Sequence, residues 1–271
     1  MIGTKDVSKN QLVPSIHDVF FAHPSAKLKW LYVATTGLSI FMVFWILIFP
    51  SSYLIGRWEL HDRILFGSLK QGDTLAPPEL TLKYQGHTAV HLTHFLPGAV
   101  WAGIIPFQIH DGFRRQNPKM HRILGMLFFA ASILVAVGVL VILHRELLFD
   151  NFFPDLPEKP KEVRLATDVG IVGMSFWFFC SAAVALYYAK AKKFRLHRRF
   201  IIRHIASGIW ISLQRVLLIG ILPIFIRPPI SRSMQRESFG QTAQLAIVCC
   251  GLLGEYAIHL LERDNAHLKQ S

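Results

Sequence analysis

The chain has 271 residues, of which 52% are hydrophobic and only 17% are charged, and its mean hydropathy is +0.38. This composition is too apolar for an ordinary soluble domain and indicates a lipid environment. The formal net charge of +12 does not indicate a nucleic-acid partner, because the excess lies in a few connections and not across one surface.

Six apolar stretches are long enough to cross a bilayer as helices, since about 20 residues span the hydrocarbon core. Polar or proline-rich breaks separate them. The sequence therefore predicts an all-α bundle of six transmembrane helices, with the lipid bilayer as its main partner. The predicted spans are Leu31–Leu54, Thr88–Ile109, Ile123–Leu143, Ala166–Tyr188, Ile205–Ile226 and Thr242–Leu261.

The charges of the connections predict the orientation of the bundle. The loops after the second and fourth spans are strongly basic, whereas the loop after the third span carries five acidic residues. Basic loops face the cytoplasm or its organellar equivalent, so we expect both termini on that side. The basic residues are Arg114, Arg115, Lys119 and Arg122 in the first of these loops, and Lys190, Lys192, Lys193, Arg195, Arg198, Arg199 and Arg203 in the second.

Three regions are predicted along the chain: a polar N-terminal segment over residues 1–28, a six-helix membrane domain over 29–262, and a short tail over 263–271. The first 28 residues contain no apolar core of a signal peptide, so the first span is expected to act as its own insertion signal. Which membrane holds the protein is not evident from the sequence.

Histidines concentrate near the predicted spans and provide the main functional clue. Eight of the thirteen lie within the spans or at their ends: His91, His94, His110, His121, His144, His197, His204 and His259. His91 and His94 share a helical face with Gly98, and His204 shares another with Gly208, and a glycine lets a large group approach the backbone. A flat macrocycle held between helices by axial imidazoles would need such faces.

Heme b is therefore the cofactor that the histidine pattern favours, with His94 and His121 as the expected metal ligands. His91, His197 and His204 are further candidates for cofactor binding. Histidines at helix ends also commonly sit at the headgroup boundary without any ligand, and deeper ones can serve in hydrogen bonds between helices. Both alternatives stay open at this point, and no HExxH or CxxC motif indicates zinc.

Arg215 is the most informative single charge, because it lies about 16 Å along a helix from His204 and hence near the middle of the bilayer. A buried arginine needs a partner. Glu255 on the sixth span, with His259 one turn further on, is the expected partner, and a heme propionate is the alternative. The pair could clamp two helices, anchor a cofactor or form part of a proton-coupled transport path.

Three segments carry a family resemblance: His94-Phe95-Leu96-Pro97-Gly98 with Pro106-Phe107-Gln108, then His121-Arg122-Ile123-Leu124-Gly125, then His197-Arg198-Arg199-Phe200-Ile201-Ile202-Arg203. The chain resembles a family of multi-pass membrane proteins known as a domain of unknown function, over about residues 88–222. The resemblance implies that the family's motif histidines are His94, His121 and His197 and that its later arginine is Arg215. The order of these features is also similar to membrane cytochromes of the b561 type.

The sequence leaves three functions in competition. The leading hypothesis is a heme-binding protein that moves electrons or reduces a small substrate. The second is a proton-coupled transporter in which Arg215, Glu255 and His259 line the path. The third is an accessory subunit that packs against other membrane proteins and carries no cofactor.

Overall fold

The structure is a computed structural model that describes residues 26–51, 54, 75–76, 79–148, 151, 153 and 155–267. Within these residues it is all-helical and contains no strand. The predicted N-terminal segment lies almost entirely outside the described residues. Six described helices are long and apolar enough to cross a membrane. They are α1 (Ala26–Ile48), α2 (Thr88–Ile109), α3 (Pro118–His144), α4 (Lys161–Lys190), α5 (Phe194–Phe225) and α6 (Arg232–His267).

The prediction of six membrane-spanning helices is therefore confirmed, and the chain is an integral, multi-pass membrane protein. The large apolar side chains on the outside of the bundle agree with this conclusion, because exposure of so many of them to water would be unfavourable. Phe176, Leu252 and Phe225 are 68%, 68% and 77% exposed in the isolated chain. The helices α3, α4 and α6 extend beyond the predicted spans at both ends and α5 at its start, whereas α1 ends at Ile48, before the predicted Leu54.

Helices that follow one another in the chain pack side by side from α1 to α6, and α1 also contacts α5 and α6. Aromatic side chains of α2, α3 and α4 meet in the centre, where Trp101 packs against Phe128 and Phe178. Phe128 is fully buried, and Trp101 is 3% exposed. The space between α2, α3, α4 and α5 is thus filled by side chains at this level.

Two prolines change the hydrogen-bond pattern of their helices. A π-helical stretch covers His91–Phe95 just before Pro97, and another covers Val216–Ile221 just before Pro223. Proline has no N–H to donate, and the wider turn accommodates its ring. Pro106, by contrast, lies inside a regular α-helical stretch.

The two basic loops lie at one end of the bundle, which we call the basic end. Arg198, at the start of α5, donates a hydrogen bond to Asp111, which follows α2, at 2.9 Å. The other end, called the acidic-loop end, includes the short helix Glu79–Leu82, the segment around Asp155 and the start of α6. Arg232 connects these three parts through Glu79 at 2.7 Å and Asp155 at 3.4 Å.

Candidate functional site

A cavity of about 170 Å³ opens at the basic end between α1, α2, α5 and α6. Most of its lining is apolar and includes Leu31, Ile205 and Leu253. The lining also includes a charged and polar group at the basic end, which we call its polar end: Gln108, Asp111, Arg114, His121, His197 and Arg198. An amphipathic molecule with a charged end would match such a lining, because each of its two parts meets a surface of its own kind.

Two of the predicted cofactor-binding residues, His121 and His197, come together at this cavity from the first turns of α3 and α5. Nδ1–H of His197 donates to the carbonyl of Ala185 on α4 at 2.8 Å. Because a carbonyl only accepts, this bond places the proton on Nδ1 and leaves Nε2 as a base. Nδ1 of His121 is buried and has no hydrogen-bond partner within the described part of the chain.

Asp111 organises the charges at the polar end of the cavity lining. Its carboxylate accepts from Arg198 at 2.9 Å and lies 3.1 Å from a guanidinium nitrogen of Arg114. Two guanidinium groups thus share one carboxylate, which leaves a local excess of positive charge. Gln108 donates to the backbone carbonyl of His121 at 3.2 Å and so connects the end of α2 to the start of α3.

His204 lies in the centre of the bundle, deeper than the sequence indicated, because α5 begins earlier than predicted. Its Nδ1–H donates to the carbonyl of Phe178 at 3.0 Å, and its Nε2 accepts from the indole N–H of Trp101 at 3.0 Å. Ser132 Oγ lies 2.9 Å from Nε2, and Ser181 Oγ lies 3.3 Å from Nδ1. Both ring nitrogens are therefore engaged, and binding of an iron at Nε2 would require the Trp101 bond to break.

Gly208, on the same helical face as His204, has a close neighbour, although that neighbour is not a cofactor. A Cβ added to Gly208 would lie 2.6 Å from Cη2 of Trp101 and 2.9 Å from Cε2 of Phe178. Gly98 similarly faces the side chains of Ile46 and Val135. At Gly208 the large group is the protein's own indole ring, whereas a Cβ at Gly98 would make only ordinary contacts, the nearest at 3.5 Å from Ile46.

His91 and His94 lie near the opposite end of the bundle, in the π-helical stretch of α2. Nε2–H of His91 donates to the carbonyl of Tyr84 at 2.9 Å, and Nδ1–H of His94 donates to the carbonyl of Val135 on α3 at 3.2 Å. A Cβ on Gly138 would lie 2.5 Å from Cβ of His94, so α2 and α3 touch at this point. The two histidines do not share the cavity at the basic end.

The position of His94 also determines which histidines can act together. Gly138, its neighbour on α3, is seventeen residues after His121. At 1.5 Å per residue this corresponds to roughly 25 Å. His94 and His121 therefore lie at opposite ends of the bundle and could serve only two different iron atoms.

The predicted pairing of Arg215 with Glu255 is wrong. Glu255 accepts two hydrogen bonds from Arg203, at 2.6 and 2.9 Å, and both Glu255 and His259 lie on the outside of the bundle. Arg203 precedes Arg215 by about three helical turns on α5, so Arg215 lies at a different depth from Glu255. Arg215 instead contacts Gln214 and two aromatic rings.

Three relationships at these sites were not predicted from the sequence: the Trp101–His204 bond, the sharing of Asp111 by two arginines, and the proximity of Tyr84 to Arg215. The lone acid of a basic loop was a signal for the second of them. The other two join residues far apart in the chain and have no local signature. Among the described residues, no group of three or more His, Cys, Asp or Glu side chains is arranged to hold a metal ion.

Comparison with known proteins adds no further constraint: no family model, curated protein or solved structure matches the chain. The resemblance to an uncharacterised membrane-protein family and to b561-type cytochromes remains a prediction. The structure shows a six-helix membrane protein with a cavity at its basic end.

Proposed function

We propose that the chain is a redox protein of the membrane that holds a b-type heme in the cavity at its basic end. The observation that carries the proposal is the convergence of His121 and His197, from two different helices, on one cavity with apolar walls. His204, by contrast, uses both ring nitrogens in hydrogen bonds inside the bundle and does not line this cavity. A ligand that binds both His121 and His197 would account for their convergence on this cavity.

The residues present fit such a group. The Nδ1–H bond from His197 to Ala185 is the kind of support that orients metal-binding histidines and leaves Nε2 available. The buried and unpartnered Nδ1 of His121 indicates a side chain whose requirements the described residues do not fully meet. His197 would hold the heme iron, and His121 would supply a second imidazole at the site.

The charged polar end of the cavity lining would match the propionate groups of a heme. Arg114 and Arg198 share Asp111, and the remaining positive charge can be matched by a carboxylate from outside the chain. The apolar walls would exclude water from the flat face of the macrocycle. A bound heme supplies a one-electron carrier, and the protein would adjust its potential through the axial ligand and the polarity of the cavity.

The other predicted heme-binding residues have a weaker claim. His204 uses both ring nitrogens in hydrogen bonds, and His94 is pressed against Gly138 without a second histidine from another helix at hand among the described contacts. A second heme near His91 and His94 is therefore not part of the proposal. The transporter hypothesis loses its predicted path, because Glu255 and His259 face away from the interior.

The test is a dithionite-reduced minus oxidised visible spectrum of the detergent-purified protein, with heme stoichiometry from the pyridine hemochrome. We expect sharp α and Soret bands in the wild type, their loss in His197→Ala, and a shifted or weakened spectrum in His121→Ala. His144→Ala is the control, since His144 is exposed at the other end of α3. A well-folded wild type without bands would refute the proposal and favour an accessory subunit without a cofactor.

A further inference from the structure

Arg215 on α5 packs against side chains of α1 and α6. One terminal nitrogen, Nη1, donates to the side-chain oxygen of Gln214. The guanidinium carbon is 5.8 Å from the ring centroid of Trp45 and 5.3 Å from that of Phe239, so two aromatic rings flank it. Nε is buried and has no hydrogen-bond partner in the described structure. Within the described part of the chain, the Nε–H group therefore lacks the acceptor that a buried donor needs.

No carboxylate of the described residues compensates this charge. Glu255 pairs with Arg203, and Glu79 pairs with Arg232, so neither is available to Arg215. A charged side chain inside a membrane protein normally finds a counter-charge, because desolvation without one is expensive. The two aromatic rings and one amide offset only part of that cost. Among the described residues, Arg215 therefore has no anionic partner.

Tyr84 provides a second polar group at the same place. Arg215 is close enough for its charge to act on the phenol. The ring is held by an edge-on contact with Phe95, at a centroid distance of 4.6 Å. A guanidinium edge and a phenolic O–H together form a pair of donor groups of the kind that bind oxyanions.

The acidic-loop end covers this position. The buried residues Leu75, Leu80, Phe153 and Leu218 belong to one apolar cluster, against which Trp45 and Phe239 also pack. The contacts of Arg232 with Glu79 and Asp155 tie the parts of this cover together. Electrostatic attraction to Arg215 is therefore strong, because little water screens it under such a cover.

We propose that Arg215 and Tyr84 form a binding site for an oxyanion, a carboxylate or a phosphate group, which enters from the acidic-loop end. Two oxygens of the anion would accept from the Nε/Nη2 edge, and the Tyr84 hydroxyl would donate to one of them. The anion is either a small soluble ion or the phosphate of a lipid headgroup. The site is independent of the proposed heme cavity, which lies at the basic end.

The experiment measures the thermal midpoint of the full-length protein in phosphatidylcholine nanodiscs, with sodium phosphate or sodium acetate against sodium chloride at equal ionic strength. A second set of discs contains phosphatidylglycerol. We expect a rise of roughly 5 °C when the site is saturated. A rise with soluble phosphate or acetate identifies a small ion as the ligand, whereas a rise confined to phosphatidylglycerol discs identifies a lipid headgroup.

Two variants make the test specific. Arg215→Gln should lose the rise, and its midpoint without anion should equal or exceed that of the wild type, because an uncompensated charge has been removed. Arg203→Gln should keep the rise, since Arg203 already has Glu255 as its partner. A wild type that responds to none of the anions, or an equal response in Arg215→Gln, would overturn the site.

Tyr84→Phe keeps the test valid if Arg215→Gln does not fold. Loss of one hydrogen bond to a charged ligand should weaken the apparent affinity by about 10-fold or more. An unchanged affinity would contradict the site as described. The heme bands, where present, should survive both variants, so that failure of the oxyanion site and failure of the heme proposal can be told apart.

Discussion

The indole N–H of Trp101 donates to Nε2 of His204 across the centre of the bundle, at 3.0 Å, between two residues 103 positions apart in the chain. The ring planes are nearly perpendicular, with an interplanar angle of 89°. His204 is fully buried, and the carbonyl of Phe178 holds its other nitrogen. This histidine is thus a hydrogen-bonding hub that joins α2, α4 and α5.

Replacing Trp101 with Phe should destabilise the bundle, because Nε2 of His204 loses its indole donor while the apolar surroundings remain. The expected cost is about 1–3 kcal/mol in the free energy of unfolding. An SDS or urea unfolding titration of the purified protein would measure it. Trp30→Phe is the control, since Trp30 is 73% exposed and should tolerate the change. Equal stability of the two variants would mean that the hub is unimportant.

Replacing Gly208 with Ala should also destabilise the protein, because the new methyl group would collide with the rings of Trp101 and Phe178. Overpacking of this kind costs about 1–3 kcal/mol. Gly251→Ala is the matched control, since a Cβ there meets nothing within 4 Å and helix propensity favours alanine. The midpoints of thermal unfolding in the same detergent should separate the two variants clearly. A Gly208→Ala protein as stable as Gly251→Ala would contradict the close approach of Trp101.

The two basic loops should be accessible from the same side of the membrane, which the positive-inside rule assigns to the cytoplasm. Single cysteines at Asn117 and Lys192, in a variant without Cys180, Cys249 and Cys250, should react with an impermeant maleimide from that side only. A cysteine at Glu158 should react from the other side. All three positions are exposed. Labelling of positions 117 and 192 from opposite sides would rule out the six-span topology, and labelling of both from outside would reverse the orientation.

Tyr84 should make the stability of the protein depend on alkaline pH. Burial raises the pKa of Tyr84 from its ordinary value of 10.0 to about 12, although the charge of Arg215 opposes the shift. The folded state therefore holds this proton more tightly than the unfolded state does. The resulting stability is complete below pH 10 and is lost as the pH rises through about 12. Relative to Tyr84→Phe, the wild type should lose stability only in that window.

The measurement for Tyr84 is the midpoint of thermal unfolding of both proteins between about pH 8 and 12. A pH-dependent difference between wild type and Tyr84→Phe that begins already near pH 8 would indicate that Tyr84 is not in the environment described. Below its ordinary pKa of 10.0 the phenol keeps its proton and can donate to the proposed oxyanion.

The all-helical, six-span architecture could be predicted because it depends on a local property. A run of about 20 apolar residues is unstable in water and stable in lipid wherever it occurs in the chain. The same property located α2 correctly at both ends. The predicted lengths of α5 and α6 were too short, because the polar first turns of these helices carry no hydropathy signal.

The sites could be predicted only in part. The histidines at the helix ends pointed to His121 and His197, which do share a cavity. The partner of Arg215 could not be predicted, because a helix boundary shifted by several residues changes which side chains lie at the same depth. Glu255 consequently meets Arg203, and Arg215 meets the rings of Trp45 and Phe239.

The sequence by itself determined that this is an integral membrane protein, how many times it crosses the bilayer, and which connections are basic. These features follow from runs of neighbouring residues. The tertiary structure alone decided what each polar side chain touches. It turned His204 into a hydrogen-bonding hub, separated His94 from His121 and left Arg215 without a carboxylate among the described residues. Such contacts depend on the rotation and depth of one helix against another, and packing over the whole bundle determines both.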